Sequence, residues 1–420
     1  MSTATDSDAP IVGSKGHMGD TLIDVNDLVM HFPITEGIVI PKVVAQVKAV
    51  DGISFSIRKG ETLGLVGESG CGKTTTGRCI LRLENPTDGE ISYEGVDLAK
   101  LKGKQLLPYR QKIQVIFQDP YSSLNPRMKI GEILSEPMQV HGIITDARKR
   151  DERVLELLQL CGLSPRFADR YPHEMSGGQR QRVGVARALG ADPPIMLMDE
   201  PFGAVDPITR EVLQAEFLQI QERVGKTIIF VTHDIDEAIK MGDRIAIMRD
   251  GHLVQYDTPD TILAHPNNRF VRDFVGTDRT LKRLGLIRIK NLMDASPPTC
   301  TLDSTVEEAK QCFVDYGAKS VFIVDKDDGT LKGWVDKEEL KTNTSLLDAM
   351  YEAHWVDIAV RQDATAREAL SAMVARGFRV TPVVDRHGKL VGTITLKALQ
   401  DLVSYDPTST ATTEAVSNVG

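Results

Sequence analysis

The run Leu63-Gly64-Leu65-Val66-Gly67-Glu68-Ser69-Gly70-Cys71-Gly72-Lys73-Thr74 says more about this 420-residue chain than any other stretch. Its first four residues read as a short buried strand, and the residues after Lys73 read as the start of a helix. Between them the glycines let backbone N–H groups turn inward around an anion. Lys73 sets a cation beside that anion, and the Thr74 hydroxyl offers a ligand to Mg²⁺. The helix N-terminus points its dipole at the same place. A glycine-rich turn carrying Lys-Thr arises by chance in roughly a few per cent of chains this long. The strand-to-helix setting makes accident rarer still. Gly67, Glu68, Ser69, Gly70, Cys71, Gly72, Lys73, Thr74 and Thr75 therefore read as a phosphate-binding loop for a nucleoside triphosphate.

Outward from this loop, short β-branched runs at 53–57, 113–117, 227–231 and 244–248 are separated by longer helical patterns. That alternation predicts an α/β domain over 21–277 with a largely parallel sheet. Across about 120–190 the strand signal vanishes. Val154, Leu155, Leu157, Leu158 and Cys161 recur at helical spacing there, which predicts an inserted helical subdomain. Residues 1–20 and 405–420 are polar and without periodicity and read as a disordered leader and tail. Residues 278–288 read as a linker.

A second regime follows. Thr305, Glu308, Ala309 and Gly317 are echoed by Thr365, Glu368, Ala369 and Gly377. Apolar strands run into Asp325 and Asp385, and Gly333-Trp334-Val335 is echoed by Gly392-Thr393-Ile394. The period of roughly sixty residues exceeds that of solenoid arrays. Two copies of one small α/β unit are expected, over 289–345 and 346–404.

Composition narrows the function. A net charge of −9 argues against a broad nucleic-acid-binding surface. The five cysteines show no metal-type spacing and read as small buried hydrophobes of a reducing compartment. MSTATDSDAP carries no cationic segment ahead of an apolar stretch, so no signal peptide is expected. No apolar run approaches the ~18 residues needed to span a bilayer, so any membrane role must come through partner subunits.

Five further elements follow the loop. Met175-Ser176-Gly177-Gly178-Gln179 precedes a helical pattern and makes a second anion-binding N-terminus. One domain has no use for two phosphate cradles, whereas a head-to-tail dimer has. Ile195-Met196-Leu197-Met198-Asp199-Glu200 is an apolar strand ending in two carboxylates. Gln118 and His233 each follow a strand, and Ala204-Val205-Asp206 follows the carboxylates.

In this order the motifs resemble those of the ABC ATPases, a class of P-loop NTPase. The resemblance implies that Ser176, Gly177, Gly178 and Gln179 of one copy close on the γ-phosphate held by Lys73 of another. It implies Asp199, Thr74 and Gln118 at Mg²⁺, Glu200 as general base or as the group that orients the attacking water, and His233 on the γ-phosphate. Gln118 would also meet a transmembrane partner, and Asp206 would belong to the D-loop, with Val205 where leucine is commoner. Phe32 stands where the family places an adenine-stacking aromatic, a buried core phenylalanine being the alternative. The segment 34–47 intervenes before the next strand.

The two halves resemble different importer branches. Phe117-Gln118-Asp119-Pro120-Tyr121-Ser122-Ser123-Leu124-Asn125-Pro126-Arg127 is similar to the dipeptide and oligopeptide ATPases. From Tyr171 onward the chain looks like the glycine betaine, choline and carnitine ATPases. His265-Pro266-Asn267-Asn268 departs from the peptide branch's His-Pro-Tyr-Thr element, and the tandem repeat resembles the CBS pair of the osmoprotectant branch. Osmoprotectant import is the first expectation and peptide import the second. Either implies transmembrane permease subunits, a solute-binding protein and a peripheral place on the cytoplasmic face of the inner membrane. The CBS resemblance implies sensing of cyclic di-AMP or of ionic strength. Its usual ribose clamp is incomplete, since Ala398 follows Gly392 and Thr395 where an aspartate is usual, and Asp336 and Glu339 would repel a phosphate. A ligand-free dimerisation module stays open. Soluble ABC ATPases of DNA repair or translation fit less well: no sustained heptads separate the motifs, and one phosphate loop is present.

Overall fold

Strands β3 (Thr62–Gly67), β6 (Ile113–Ile116), β7 (Ile195–Asp199), β8 (Thr227–Thr232), β9 (Arg244–Arg249) and β10 (His252–Asp257) form one sheet in the order β10-β9-β3-β8-β7-β6. Only β10, antiparallel to β9, breaks the parallel run. Alternate residues go to opposite faces. Ile195, Leu197, Ile229 and Val231 join one core, and Met196, Met198, Ile228 and Phe230 join the other. A sheet covered on both sides needs apolar residues at every position, which is why these strands read as continuous hydrophobic runs. The computed structural model describes residues 20–36, 42–117, 123–203, 205–341 and 345–404. The expected leader (but for Asp20), the expected tail, Gln118 and Ala204 lie outside them.

The first face is covered by a second sheet of order β2-β1-β4-β5, from β1 (Thr21–Glu36), β2 (Lys42–Arg58), β4 (Asp88–Tyr93) and β5 (Val96–Asp97). It is antiparallel throughout, and the strand-and-helix alternation of the sequence had not suggested it. Of the segment 34–47, residues 34–36 lie on β1 and 42–47 on β2: Ile34 pairs with Ala45, and Phe32 with Val47. Ile34, Val43, Val44 and Val47 are all exposed here. With neither face buried, no alternation marked this stretch as strand. Helix α1 (Lys73–Ile80) adds Cys79 and Ile80 to the same core.

The other face carries the helical subdomain: α2 (Ile130–Val140), α3 (Ala147–Leu160) and α4 (Gly177–Gly190), with α5 (Pro207–Val224) beside them. Val154, Leu157, Leu158 and Cys161 are buried at helical spacing, whereas Leu155, on the opposite side of α3, is exposed. Helix α6 (Ile235–Met241) follows β8.

The described residues divide into two compact units, one ending at Gly276 and the other starting at Thr277. In the second unit, α7 (Arg279–Leu286) occupies the stretch expected to be a linker. Its Leu284, with Ile287 three residues on, is buried against Ala366, Ala369 and Met373 of the second repeat. The basic residues on its outer side had masked this apolar stripe.

Each repeat then builds its own small sheet. The first orders β11 (Thr299–Thr301), β12 (Ser320–Val324), β13 (Leu331–Asp336) and β14 (Tyr351–Glu352). The second orders β15 (Val360–Arg361), β16 (Val380–Val384) and β17 (Leu390–Thr395). Thr305 and Thr365 begin α8 (Val306–Asp315) and α9 (Ala366–Arg376) with the same capping box, each hydroxyl accepting from the N–H of Glu308 or Glu368 at 3.2 Å. The two hairpin tips bind each other reciprocally. Leu331 N–H donates to Gly388 O at 3.0 Å, and Leu390 N–H donates to Gly329 O at 3.1 Å.

Gly388 sits at φ +83°, and a Cβ there would lie 2.4 Å from Trp355 Nε1. Both the backbone and the space demand glycine. Gly388→Ala is expected to destabilise the repeat unit by about 1–3 kcal/mol. Both tryptophans of the chain, Trp334 and Trp355, lie in that unit. Tryptophan fluorescence should therefore melt earlier while ATP hydrolysis at 25 °C stays unchanged.

Candidate functional site

The carboxyl ends of β3, β8 and β7 are neighbours, and each releases its functional residues at the same sheet edge. This is where open parallel sheets bind ligands. After β3 the loop Gly67–Lys73 turns tightly under the hairpin of β1 and β2. Gly72 takes φ +102°, and a Cβ on it would lie 2.2 Å from Ala49 O; one on Gly67 would lie 2.2 Å from Met248 O. Side chains at either position would force β2 or β9 away from the loop.

Lys73 is buried, and its ammonium donates to the carbonyls of Gly67 and Glu68, both at 2.8 Å. Cys71 Sγ lies 3.8 Å from the same nitrogen. Burial holds the Cys71 thiol above its usual range, against the opposing pull of Lys73. It is a packed thiol beside the cation rather than a thiolate.

Two contacts assemble the rest. Thr74 Oγ1 donates to Asp199 Oδ1 at 3.0 Å, joining α1 to the end of β7. Desolvation raises the Asp199 carboxyl above the usual carboxylate range, aided by the charge of Glu200 and opposed by the Thr74 hydrogen bond. His233 Nδ1 lies 3.2 Å from Glu200 Oε2. Glu200 itself is a non-glycine residue at φ 46°. Its N–H donates to Val231 O at 2.9 Å, and its carbonyl accepts from Gly203 N–H at 3.1 Å. These bonds hold it in a sparsely populated conformation, a strain that concentrates at working sites.

The segment Ser176–Gln179 opens α4. Ser176 Oγ accepts from Gln179 N–H at 3.3 Å, and Gln179 Oε1 accepts from Ser176 N–H at 3.0 Å. No hydrogen bond joins Ser176 to the Lys73 loop among the described residues. Asp206 caps α5, accepting from Thr209 N–H at 3.0 Å. Those hydrogen bonds hold its carboxyl below the usual range. Phe32 lies on β1, about a third exposed and outside the buried cores. Its strand partner Val47 is two residues from the Ala49 carbonyl that meets Gly72. Thr75 is half-buried on α1.

Sequence reasoning missed a buried network behind His233. Glu237, in α6, accepts from Thr232 Oγ1 at 2.7 Å and from Gln214 Nε2 at 3.0 Å. Lys240 Nζ donates to Gln214 Oε1 at 3.0 Å. The network ties the segment carrying His233 to α5, the helix that Asp206 caps. It had no distinct signal in the sequence, since Gln214 and Glu237 stand on their helices like other polar residues.

Known proteins share this design. The family model for ABC transporters matches residues 50–203, and that for the CBS domain matches 289–344 and 356–405. The glycine betaine/carnitine/choline transport ATP-binding protein OpuCA of Bacillus subtilis is 42% identical over 361 residues, 86% of this chain and 93% of that protein. The osmoprotectant import ATP-binding protein OsmV of Salmonella typhimurium is 40% identical over 366 residues, 87% of this chain and 93% of its own length. The putative oligopeptide transport ATP-binding protein YkfD of Bacillus subtilis is 43% identical over 251 residues, 60% of this chain and 74% of that one. The dimeric, post-hydrolysis structure of the ATP-binding cassette MJ0796 with ADP and Pi matches at a TM-score of 0.50 and 31% identity, covering 56% of this chain and 98% of its own. No helix among the described residues is long and apolar enough to cross a membrane. With loop, carboxylates and histidine gathered at one sheet edge, the chain belongs to the ABC transporter ATP-binding proteins, ATP hydrolases coupled to transport, and carries a C-terminal pair of CBS domains.

Proposed function

We propose that this chain powers the import of quaternary-ammonium osmoprotectants (glycine betaine, carnitine or choline) and that its CBS pair regulates that import. The reach of the similarity carries the solute assignment. Identity alone does not separate the branches, being 42% to the betaine ATPase and 43% to the oligopeptide one. The first match extends over 86% of the chain, taking in the repeats, whereas the second covers 60%.

The chemistry follows from the sheet edge. Lys73, already donating to two loop carbonyls, would transfer those bonds to β/γ-phosphate oxygens. Glu200, held by backbone and by His233, would accept the proton of the attacking water, a contribution of typically 10²–10⁴-fold. The Thr74 hydroxyl and the Asp199 carboxylate offer hard oxygens to Mg²⁺, which would neutralise phosphate charge when bound. Among the described residues no cluster of three His, Cys, Asp or Glu side chains could hold a metal alone. That suits an ion that takes its other ligands from phosphate and water. Ser176–Gln179, built as a capped N-terminus yet unconnected to Lys73 within one chain, is suited to the nucleotide of a second copy. Two copies would dock through the Gln118 region beneath permease subunits at the inner face of the membrane.

Three tests apply. Glu200→Gln should bind Mg-ATP and trap a dimer yet hydrolyse 10²–10⁴-fold more slowly; a strictly monomeric ATP-saturated variant would reject the shared site. Asp199→Asn should abolish Mg-dependent hydrolysis while raising the melting temperature of the nucleotide-free chain. The folded carboxyl titrates above 3.8, so the wild type loses stability relative to the variant as pH rises past 3.8, and the gap is complete above the raised pKa. Finally, the complex with its permease, given labelled betaine, carnitine and a dipeptide, should take up the first two. Ending the chain before Thr277, so that α7 leaves with its repeat core, should keep ATP hydrolysis but abolish its response to salt or cyclic di-AMP.

A further inference from the structure

A cleft of about 270 Å³ opens between the two repeats, at the ends of β12, β13 and β16. Trp334 and Phe378 line it, their rings 6.1 Å apart and inclined at 69°. Tyr351 stacks on Trp334 at 5.2 Å and fixes its plane. Asp336 lies in the same wall, and its carboxylate accepts only a neutral partner, Ser320 Oγ, at 2.6 Å. Lys319 and Arg379 stand at the rim, both exposed. Among the described residues neither cation is paired with a carboxylate, and Asp336 is paired with no cation.

The cleft therefore offers two chemistries side by side. Aromatic rings and an unneutralised carboxylate attract a bulky, weakly hydrated cation through ring quadrupole and charge. Two free cations at the mouth attract a carboxylate. Its volume lies just under the usual range of ligand pockets, which suits a small ligand. In the second repeat the position of a ribose-binding aspartate holds Ala398, whose N–H is already used by Thr395 Oγ1 at 3.1 Å.

We propose that this cleft binds a small zwitterion bearing a quaternary ammonium and a carboxylate, the ammonium against Trp334, Phe378 and Asp336 and the carboxylate at Lys319 and Arg379. The inference rests on the osmoprotectant reading, which makes such a molecule the solute delivered to the compartment where the repeats lie. The repeats then read the accumulated product directly.

Equilibrium dialysis of radiolabelled glycine betaine, carnitine and choline against the full chain tests this. All three should bind saturably. Trp334→Leu or Asp336→Asn should weaken all three by about tenfold or more. Lys319→Gln with Arg379→Gln should weaken betaine and carnitine by about tenfold but leave choline, which has no carboxylate, unchanged. Trp355 fluorescence reports whether each variant keeps its repeats folded. The two rim residues are exposed, so the betaine-against-choline split decides the matter even if Trp334→Leu unfolds. Absence of saturable binding, binding indifferent to these changes, or displacement by equimolar AMP would overturn the proposal. A complex that imports betaine while the chain binds none would reject this inference alone. One that imports only a dipeptide would reject the osmoprotectant reading itself.

Discussion

The parallel register of β3, β8 and β7 is the constraint from which the nucleotide site follows. Val66 pairs with Thr232, and Asp199 with Val231. Each strand therefore ends at the same level, and its next residue emerges beside its neighbour's. That is how Thr74 reaches Asp199, and how His233 reaches Glu200, across segments more than thirty residues apart. Side chains alternate along a strand, so a slip of one residue would turn Asp199 into the core and an apolar neighbour toward the phosphate loop. The register is locked by burial on both faces, since Ile195 and Leu197 fit one core while Met196 and Met198 fit the other. The geometry of the candidate site is thus set by hydrophobic packing some distance from it.

The close approaches at the loop extend this dependence. Gly72 and Gly67 let two backbones meet the phosphate loop at distances no side chain permits. The antiparallel sheet consequently acts as a roof that holds the loop in shape, and the cost of its tight conformation is offset by packing elsewhere. Glu200 follows the same logic, its left-handed backbone restrained on both sides by hydrogen bonds. A buried acidic network around Glu237 then couples the His233 segment to α5. Desolvation raises the Glu237 carboxyl above its usual range, opposed by its bonds to Thr232 and Gln214 and by Arg210. That tension makes the network sensitive to the loss of any one member.

Most of the candidate site was legible in the sequence because it is built from local motifs: a glycine run after a strand, a strand ending in two carboxylates, a histidine after another strand. The parallel sheet was legible because double burial leaves continuous apolar runs. What escaped notice lacked a local signal. The far ends of β1 and β2, 34–36 and 43–47, carry β-branched residues exposed on both faces, so no period of two marks them there. Helix α7 hides Leu284 among arginines and lysines. Glu237 and Gln214 look like any polar helix residues until the fold brings them together. Leu155 satisfied the helical count but stands on the exposed side of α3, because a count of apolar residues does not by itself fix the face.

The repeats show the converse case, in which sequence symmetry predicts local structure but not the site it creates. Equal capping boxes at Thr305 and Thr365 start matching helices, and turns that carry Gly329 and Gly388 close the two hairpins, the first turn one residue longer than the second. Those hairpins then meet tip to tip, each donating one N–H to the other. Strict symmetry would give two equivalent clefts, yet the residues that line them have diverged. Trp334 and Asp336 in the first repeat stand where the second has Thr393 and Thr395. The pairing at the tips depends on backbone and glycine, which both copies keep. The cleft walls depend on side chains, which are free to differ without disturbing the scaffold. A duplicated fold can thus hold an asymmetric pocket, and its chemistry has to be read from the side chains that broke the repeat.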